Sequence, residues 1–153
     1  MRVWRICRRR FAAFDGEGAR IAGGRWNRIG TAVVYTSATL SLAALEYFVN
    51  VEASAAPDDL VSIFADIPED VPTASVEVRD LPRDWRRYPA PDSLRDIGTA
   101  WVTRGREAVL SVPSAVVPSE RNYLINPSHP AFGRIRIGSP QPFSLDLRLW
   151  KAR

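Results

Sequence analysis

The chain has 153 residues, 46% of them hydrophobic, with 21 basic against 17 acidic side chains and a net charge of +4. That length and apolar content suit one domain with a substantial core and exclude a disordered chain. The lone cysteine, Cys7, excludes an internal disulfide framework and a cysteine-based zinc cage; no apolar run approaches the ~18–20 residues of a membrane span. The basic opening, MRVWRICRRR, lacks the apolar stretch of a secretory signal, so cytoplasmic residence with no membrane partner is expected.

In chain order, residues 2–7 alternate weakly and read as a first strand with Val3, Arg5 and Cys7 on one side. Residues 11–20, with two glycines and two acids, read as a loop. The stretch 23–46, GGRWNRIGTAVVYTSATLSLAALE, concentrates the chemistry. Its paired glycines allow a tight turn or a close backbone approach to a ligand. Arg25 offers a planar fork suited to phosphate or carboxylate. Residues 32–35 read as a buried strand ending in Tyr35, and Thr36, Ser37 and Thr39 are candidate caps for a helix over 40–49. Leu42, Leu45 and Val49 share one helix face, and at about 100° per residue Glu46 falls between Leu42 and Val49 on it. A carboxylate on an inward stripe needs a partner, because an unpaired buried charge is costly. A structural ion pair would explain it, and so would a site.

Residues 53–59 read as a surface connection. Residues 60–67 read as a strand stopped by Pro68 and Pro72, and 75–78 as a short strand ended by Leu81 and Pro82. Residues 83–91 form a basic, aromatic loop with Trp85 and Tyr88. Residues 91–102 read as a helix, since Leu94, Ile97 and Trp101 recur at helical spacing, with Asp92 or Ser93 near its start and Gly105 breaking it. Residues 108–112 form a compact apolar strand. Residues 113–118 and 119–130 read as turns, and 134–137 as a short strand. Residues 143–149, with Phe143, Leu145, Leu147 and Leu149 alternating against Ser144, Asp146 and Arg148, carry the clearest strand pattern in the chain. About six strands with two helices predict a single α+β domain: a curved or split mixed sheet with helices packed against it.

The positive charge is almost all arginine; the one lysine is Lys151. Base-composition bias explains that usage, and so does a surface for phosphates, nucleic acid or an acidic protein. Apart from Arg8–Arg10 and the group Arg83, Arg86 and Arg87, the arginines are scattered, and no basic helix stripe or zinc-finger spacing supports sequence-specific DNA reading.

Several stretches together carry a resemblance. GGRWN at 23–27, VVYTS at 33–37, LAALE at 42–46, IGTAWV at 97–102, VLSVPSAVVPSERNYLINPSHP at 109–130 and the closing FSLDLRL resemble, in order and over almost the whole chain, the RES domain. The resemblance implies a RES domain over 1–153 and a fold related to ADP-ribosyltransferase toxins. It implies the toxin of a bacterial toxin–antitoxin pair, held in an inhibitory hetero-oligomer by an antitoxin with an Xre-like DNA-binding region. It also implies an activity that consumes NAD as substrate, with no resident cofactor, by hydrolysis or phosphorolysis of the nicotinamide–ribose bond. At least one branch of the family instead ADP-ribosylates a protein. Carried over residue by residue, the family's arginine, tyrosine, glutamate and serine fall on Arg25, Tyr35, Glu46 and Ser114, and a second family arginine on Arg5.

Cleavage of that bond builds positive charge on the ribose, as in glycoside hydrolysis. A protein assists by holding the diphosphate, gripping the nicotinamide and placing negative charge beside the ribose. Glu46 would take the last role, where a purely structural pairing with an arginine is the alternative. Arg25 would grip a phosphate, with Arg5 sharing it; a surface arginine in a glycine turn and an ordinary sheet arginine are the competing readings. Tyr35 would stack on nicotinamide and meet the ribose, or is a rim tyrosine. Ser114 would bond the nicotinamide amide or a phosphate, or simply holds its turn. Asn122, with Tyr123 and Asn126, would shape the pocket or stabilise turns, and Trp26 would cover the site or anchor its loop. The only histidine, His129, lies in a proline-flanked turn and reads as structural, Cys7 as a small buried hydrophobe. No cluster of His, Cys and carboxylates suggests a metal, and without GxGxxG a Rossmann mode of NAD binding is excluded. Two other functions remain open on sequence: ADP-ribosyl transfer to a protein, and a basic nucleic-acid-binding or ribonuclease-type toxin; with NAD as substrate, no direct nucleic-acid binding by this chain is expected.

Overall fold

A computed structural model describes residues 1–52 and 57–150. In chain order they form β1 (Arg2–Arg8), α1 (Glu17–Ala22), β2 (Val34–Ser37), α2 (Leu40–Phe48), β3 (Leu60–Asp66), β4 (Thr73–Ser75), α3 (Asp92–Arg104), β5 (Val109–Pro113), β6 (Arg121–Ile125), β7 (Arg136–Ile137) and β8 (Gln141–Pro142). The strands join in one sheet in the order β4-β5-β6-β2-β1-β3-β7, with β8 also on β3. Only β4 and β5 run parallel; the other pairs are antiparallel. The result is a mixed sheet with helices packed on it, the α+β class that the sequence predicts. No helix among the described residues is long and apolar enough to cross a membrane.

Alternation along the strands gives the sheet two apolar faces. On one face Val3, Cys7, Val34, Val61, Ile63, Ala65, Val109 and Ile125 form a core closed by Phe14, Ile67, Val71 and Ile135 from the connecting loops. On the other face α2 covers the β1–β3 half, where Ala43 packs with Ile6 and Leu60. There α3 covers the β5–β6–β2 half, where Leu94 and Trp101 pack with Trp26, Val33, Leu110, Val112 and Leu124. The α3 helix sits so close to the 23–27 turn that a Cβ on Gly98 would stand 1.8 Å from the Trp26 carbonyl oxygen, so only glycine fits. Between the halves the sheet is thinly laced. β1 and β3 pair over seven positions, Arg2 to Arg8, whereas β1 and β2 pair only at Trp4 and Ser37.

Several elements differ from the sequence-based expectation. The helix α1 replaces part of the 11–20 loop. Strand β2 begins and ends two residues later than predicted, so Tyr35 lies inside it and Thr36 and Ser37 are strand residues. Thr39 alone caps α2, accepting from the Leu42 N–H. Leu45 and Val49 do not face inward; they are 39% and 55% exposed, and α2 buries Leu42 and Ala43 instead. The strand expected at 75–78 forms at Thr73–Ser75, where it pairs with β5. Residues 121–125, read as turns, form β6 between β5 and β2. The segment 143–149 is not a strand. Phe143 continues the pairing of β8 by donating to the Leu60 carbonyl, but Asp146 then accepts from the Arg148 backbone N–H and pairs with its guanidinium. That local turn competes with a ladder, leads into a 3-10 turn at Leu147–Trp150 and leaves Leu147 81% exposed. Of the connection predicted at 53–59, residues 53–56 lie outside the described residues, as does Lys151.

Candidate active site

The centre of the site is the Glu46 carboxylate. Helix α2 carries it over the sheet, half-buried. One oxygen, Oε1, accepts from the Ser114 hydroxyl at 2.7 Å and from the Asn122 side-chain amide at 2.5 Å. Both donors are themselves fixed. The Ser114 oxygen accepts from the backbone N–H groups of Val116 and Val117, and the residue is fully buried just past the end of β5. The Asn122 side-chain oxygen, Oδ1, accepts from the Ser37 hydroxyl at 2.7 Å. Ser37 and Asn122 face each other across the β2–β6 ladder, so the support for the glutamate is built into strand register. Every bond to the carboxylate goes to Oε1; Oε2 has no protein donor among the described residues.

Arg25 leaves the 23–27 turn towards the same region. Its Nη1 donates to the Trp85 carbonyl at 2.8 Å and the Arg87 carbonyl at 3.2 Å. Its other N–H groups have no protein acceptor among the described residues. Burial pushes this guanidinium down from its ordinary value, while the charge of Glu46 pushes it up and that of Arg95 pushes it down. Arginine nevertheless remains a cation at any working pH. It is thus a fixed, half-buried cation close enough to Glu46 to feel its charge, with one edge left for an anion.

Tyr35 supports the turn that carries Arg25. Its hydroxyl accepts from the Trp26 N–H at 3.0 Å and donates to the Asn27 side-chain oxygen at 2.7 Å. Burial raises the phenol far above its ordinary value. The Asn27 amide nitrogen, fully buried, donates to the carbonyls of Ala19, Arg28 and Thr31. A Cβ on Gly24 would stand 2.5 Å from the Tyr35 hydroxyl oxygen, which accounts for the second glycine of the motif. Trp26 is buried and anchors its loop.

Arg25, Tyr35, Glu46, Ser114 and Asn122 therefore gather on one side of the sheet, and Arg5 does not. It alternates with Trp4 and Ile6 on β1 and sits opposite Ile63, on the face of Val3 and Cys7. Its Nη1 donates to the Ala13 carbonyl, and its guanidinium lies over the Phe14 ring. Ser114, sealed from solvent with its hydroxyl fully engaged, steadies Glu46 and is not placed to meet a ligand directly. Asn126 and His129 hold turns, accepting from the Ser128 and Ala131 N–H groups. Burial raises the Cys7 thiol.

Sequence reasoning missed Asn27 and Arg95 and read Ser37 as a cap. The period of two along β2, which puts Tyr35 and Ser37 on one face, is the signal that reveals Ser37. Arg95, on α3, pairs with Asp92 at 2.9 Å and adds a further positive field at Arg25 and Tyr35; nothing in its spacing marked it.

A carboxylate steadied by two neutral donors and, in its field, an arginine with unused N–H groups are together able to hold an anion at one point and to offset positive charge at another. The fold is similar to that of a chain in the crystal structure of the M. tuberculosis MbcT–MbcA toxin–antitoxin complex, with a TM-score of 0.77 over 97% of this chain and 86% of that one at 16% identity. The RES domain family model matches residues 2–146. A protein named Toxin Res from Yersinia enterocolitica is 39% identical over 97% of this chain and 99% of its own length. One named Prs ADP-ribosylating toxin, from Sphingobium sp., is 37% identical over 95% and 94%. Another Toxin Res, from Photorhabdus laumondii, is 36% identical over 100% and 99%. The chain belongs to the RES domain family, the family of these toxins.

Proposed function

We propose that the chain is the toxin of a bacterial toxin–antitoxin pair and that it cleaves the nicotinamide–ribose bond of NAD, passing ADP-ribose to water or to phosphate. The observation that carries this reading is the Glu46 carboxylate, pinned at Oε1 by Ser114 and Asn122 with Oε2 left over, in the field of an arginine pre-anchored on two carbonyls. When the bond breaks, its electron pair goes to the nicotinamide ring nitrogen, the neutral base leaves, and the ribose takes on oxocarbenium character. Glu46 accepts a hydrogen bond from a ribose hydroxyl and offsets that charge. Because its anchors are already in place, little reorganisation is needed as the charge develops. Arg25 turns its free edge to the diphosphate, and the Tyr35 ring borders the nicotinamide. The acceptor oxygen then bonds to the ribose carbon, and water gives up its proton to Glu46 or solvent. Ser114 and Asn122 act through Glu46 as positioning residues.

The partner in this reading is an Xre-like antitoxin. The support is the family itself and a structural neighbour solved as a toxin–antitoxin complex. A second reading, transfer of ADP-ribose to a protein side chain, is favoured by the Sphingobium relative that bears the name of an ADP-ribosylating toxin. One experiment separates the readings. Purified protein is incubated with NAD labelled in the adenine, with and without phosphate and with and without cell extract. Free ADP-ribose or its phosphate is the expected product. Label retained on a single protein band replaces degradation by transfer, and intact NAD in every arm overturns both.

A further inference from the structure

The loop from residue 83 to residue 88 belongs to neither sheet nor helix, yet it is built rigidly against the site. Trp85 is buried in the core under α3. Trp85 N–H donates to the Pro82 carbonyl at 3.0 Å and Arg87 N–H to the Asp84 carbonyl at 2.8 Å, closing successive turns. Arg86 Nε donates to the Ala115 carbonyl at 3.0 Å, tying the loop to the turn that holds Ser114. The carbonyls of Trp85 and Arg87 in turn fix Arg25. The Arg87 carbonyl leads through one peptide bond into Tyr88, whose side chain is 84% exposed. A loop tied down at several points thus carries an exposed aromatic residue next to a carbonyl that anchors Arg25. No acidic side chain pairs with Arg83 or Arg87 among the described residues.

We propose that Tyr88 and the 83–88 loop form the adenosine subsite of the dinucleotide, the Tyr88 ring stacking on the adenine. The inference rests on the NAD reading above. Arg25, at the diphosphate, is held by the Trp85 and Arg87 carbonyls of this loop and feels the charge of Glu46. With the nicotinamide riboside committed to Glu46, the adenosine half extends over the loop. Any base has a flat face, and an exposed tyrosine on an ordered loop offers a matching one without rearrangement. Arg83 and Arg87, exposed on the same loop, add positive charge to it.

The test is steady-state kinetics of NAD consumption by the full chain and its Tyr88→Ala and Tyr88→Phe variants, with melting curves for each. Removing a stacking aromatic weakens binding by about tenfold or more. The expected result is therefore a KM for NAD raised about tenfold in Tyr88→Ala, with kcat within about twofold of the parent, an unchanged melting temperature, and KM restored in Tyr88→Phe. An unaltered KM in Tyr88→Ala overturns the subsite. So does a Tyr88→Phe variant as impaired as the alanine, which would assign the effect to the hydroxyl. A parent protein that leaves NAD intact is a different failure: it removes the functional reading, and the subsite with it.

Discussion

The Ser114 hydroxyl donates to Glu46 Oε1 at 2.7 Å, joining residues 68 positions apart in the sequence. The serine is spent on this bond and on the two N–H groups it accepts. Ser114→Ala removes one of the two donors to the carboxylate and leaves the Val116 and Val117 N–H groups short of an acceptor. Losing buried partners of this kind costs about 1–3 kcal/mol. With NAD cleavage as proposed, the expected variant is folded, melts at a lower temperature and consumes NAD about ten- to a hundredfold more slowly. Normal turnover in a destabilised Ser114→Ala protein would confine the serine to structure.

Glu46→Gln is a cleaner probe of the charge. The glutamine side-chain oxygen still accepts from Ser114 and Asn122, so the helix stays seated while the negative charge is lost. Turnover is expected to fall by about a hundredfold or more, with unfolding by urea shifted by less than about 1 kcal/mol. Asn122→Ala leaves the charge and removes an anchor, and its loss of kcat should be the smaller of the two.

Gly98→Ala tests the seating of α3 on the motif turn. The added carbon would lie 1.8 Å from a backbone oxygen, which cannot move without displacing Trp26. Overpacking of this kind costs typically 1–3 kcal/mol and more when backbone must shift. We expect a destabilisation of about 3 kcal/mol in urea melts, or failure to accumulate folded protein. Gly18→Ala, where nothing lies within 4 Å, is the matched control and should be neutral or slightly stabilising.

Tyr35 predicts a pH dependence. Burial holds its folded pKa above the unfolded value, so the native state keeps a proton that the unfolded chain gives up. Below the unfolded pKa of about 10 the contribution is constant; above it the unfolded chain binds fewer protons and stability falls as pH rises. Tyr35→Phe lacks this titration and also lacks the bonds to Trp26 and Asn27. It should be the less stable protein at pH 8, and the gap should narrow above about pH 10 when both are unfolded in urea. A gap constant across that range would remove the buried phenol from the account.

Leu147→Ser should change stability by less than about 0.5 kcal/mol, because the side chain is 81% exposed. Leu124→Ala, fully buried on β6, should cost about 2–5 kcal/mol. The reverse order in a denaturation experiment would restore a closing strand at 143–149.

These two leucines also show where the sequence can be read and where it cannot. Residues 60–66, 109–113 and 92–104 announce themselves because burial on one or both sides sets their pattern. Leu124 sits in RNYLI, flanked by Glu120 and by Asn126 and Pro127, so turn-forming neighbours obscure a strand whose identity comes from β5 and β2 on either side. Leu147 belongs to a strict alternation that Asp146 overrules by binding its own backbone two residues on. In the site, Arg25, Tyr35, Glu46 and Ser114 were accessible through a resemblance of motifs. The helical wheel placed Glu46 on an inward stripe, but with the wrong companions, since Leu45 and Val49 face out. Arg5, matched to a second family arginine, lies on the face of β1 away from Tyr35 and Glu46, and a motif match alone does not say which face of a strand a residue takes. The bonds among Ser37, Asn122 and Glu46 depend on register between segments distant in the chain, and no local pattern records that.

The single paired position between β1 and β2 bears directly on this chemistry. Helix α2 is packed chiefly on the β1–β3 half of the molecule, whereas Ser114 and Asn122 belong to the β5–β6 half. The contacts that aim the glutamate are therefore also stitches across a weak suture. A shift of one half against the other by an ångström or so would part Glu46 from Ser114 and Asn122 with none of the three side chains altered.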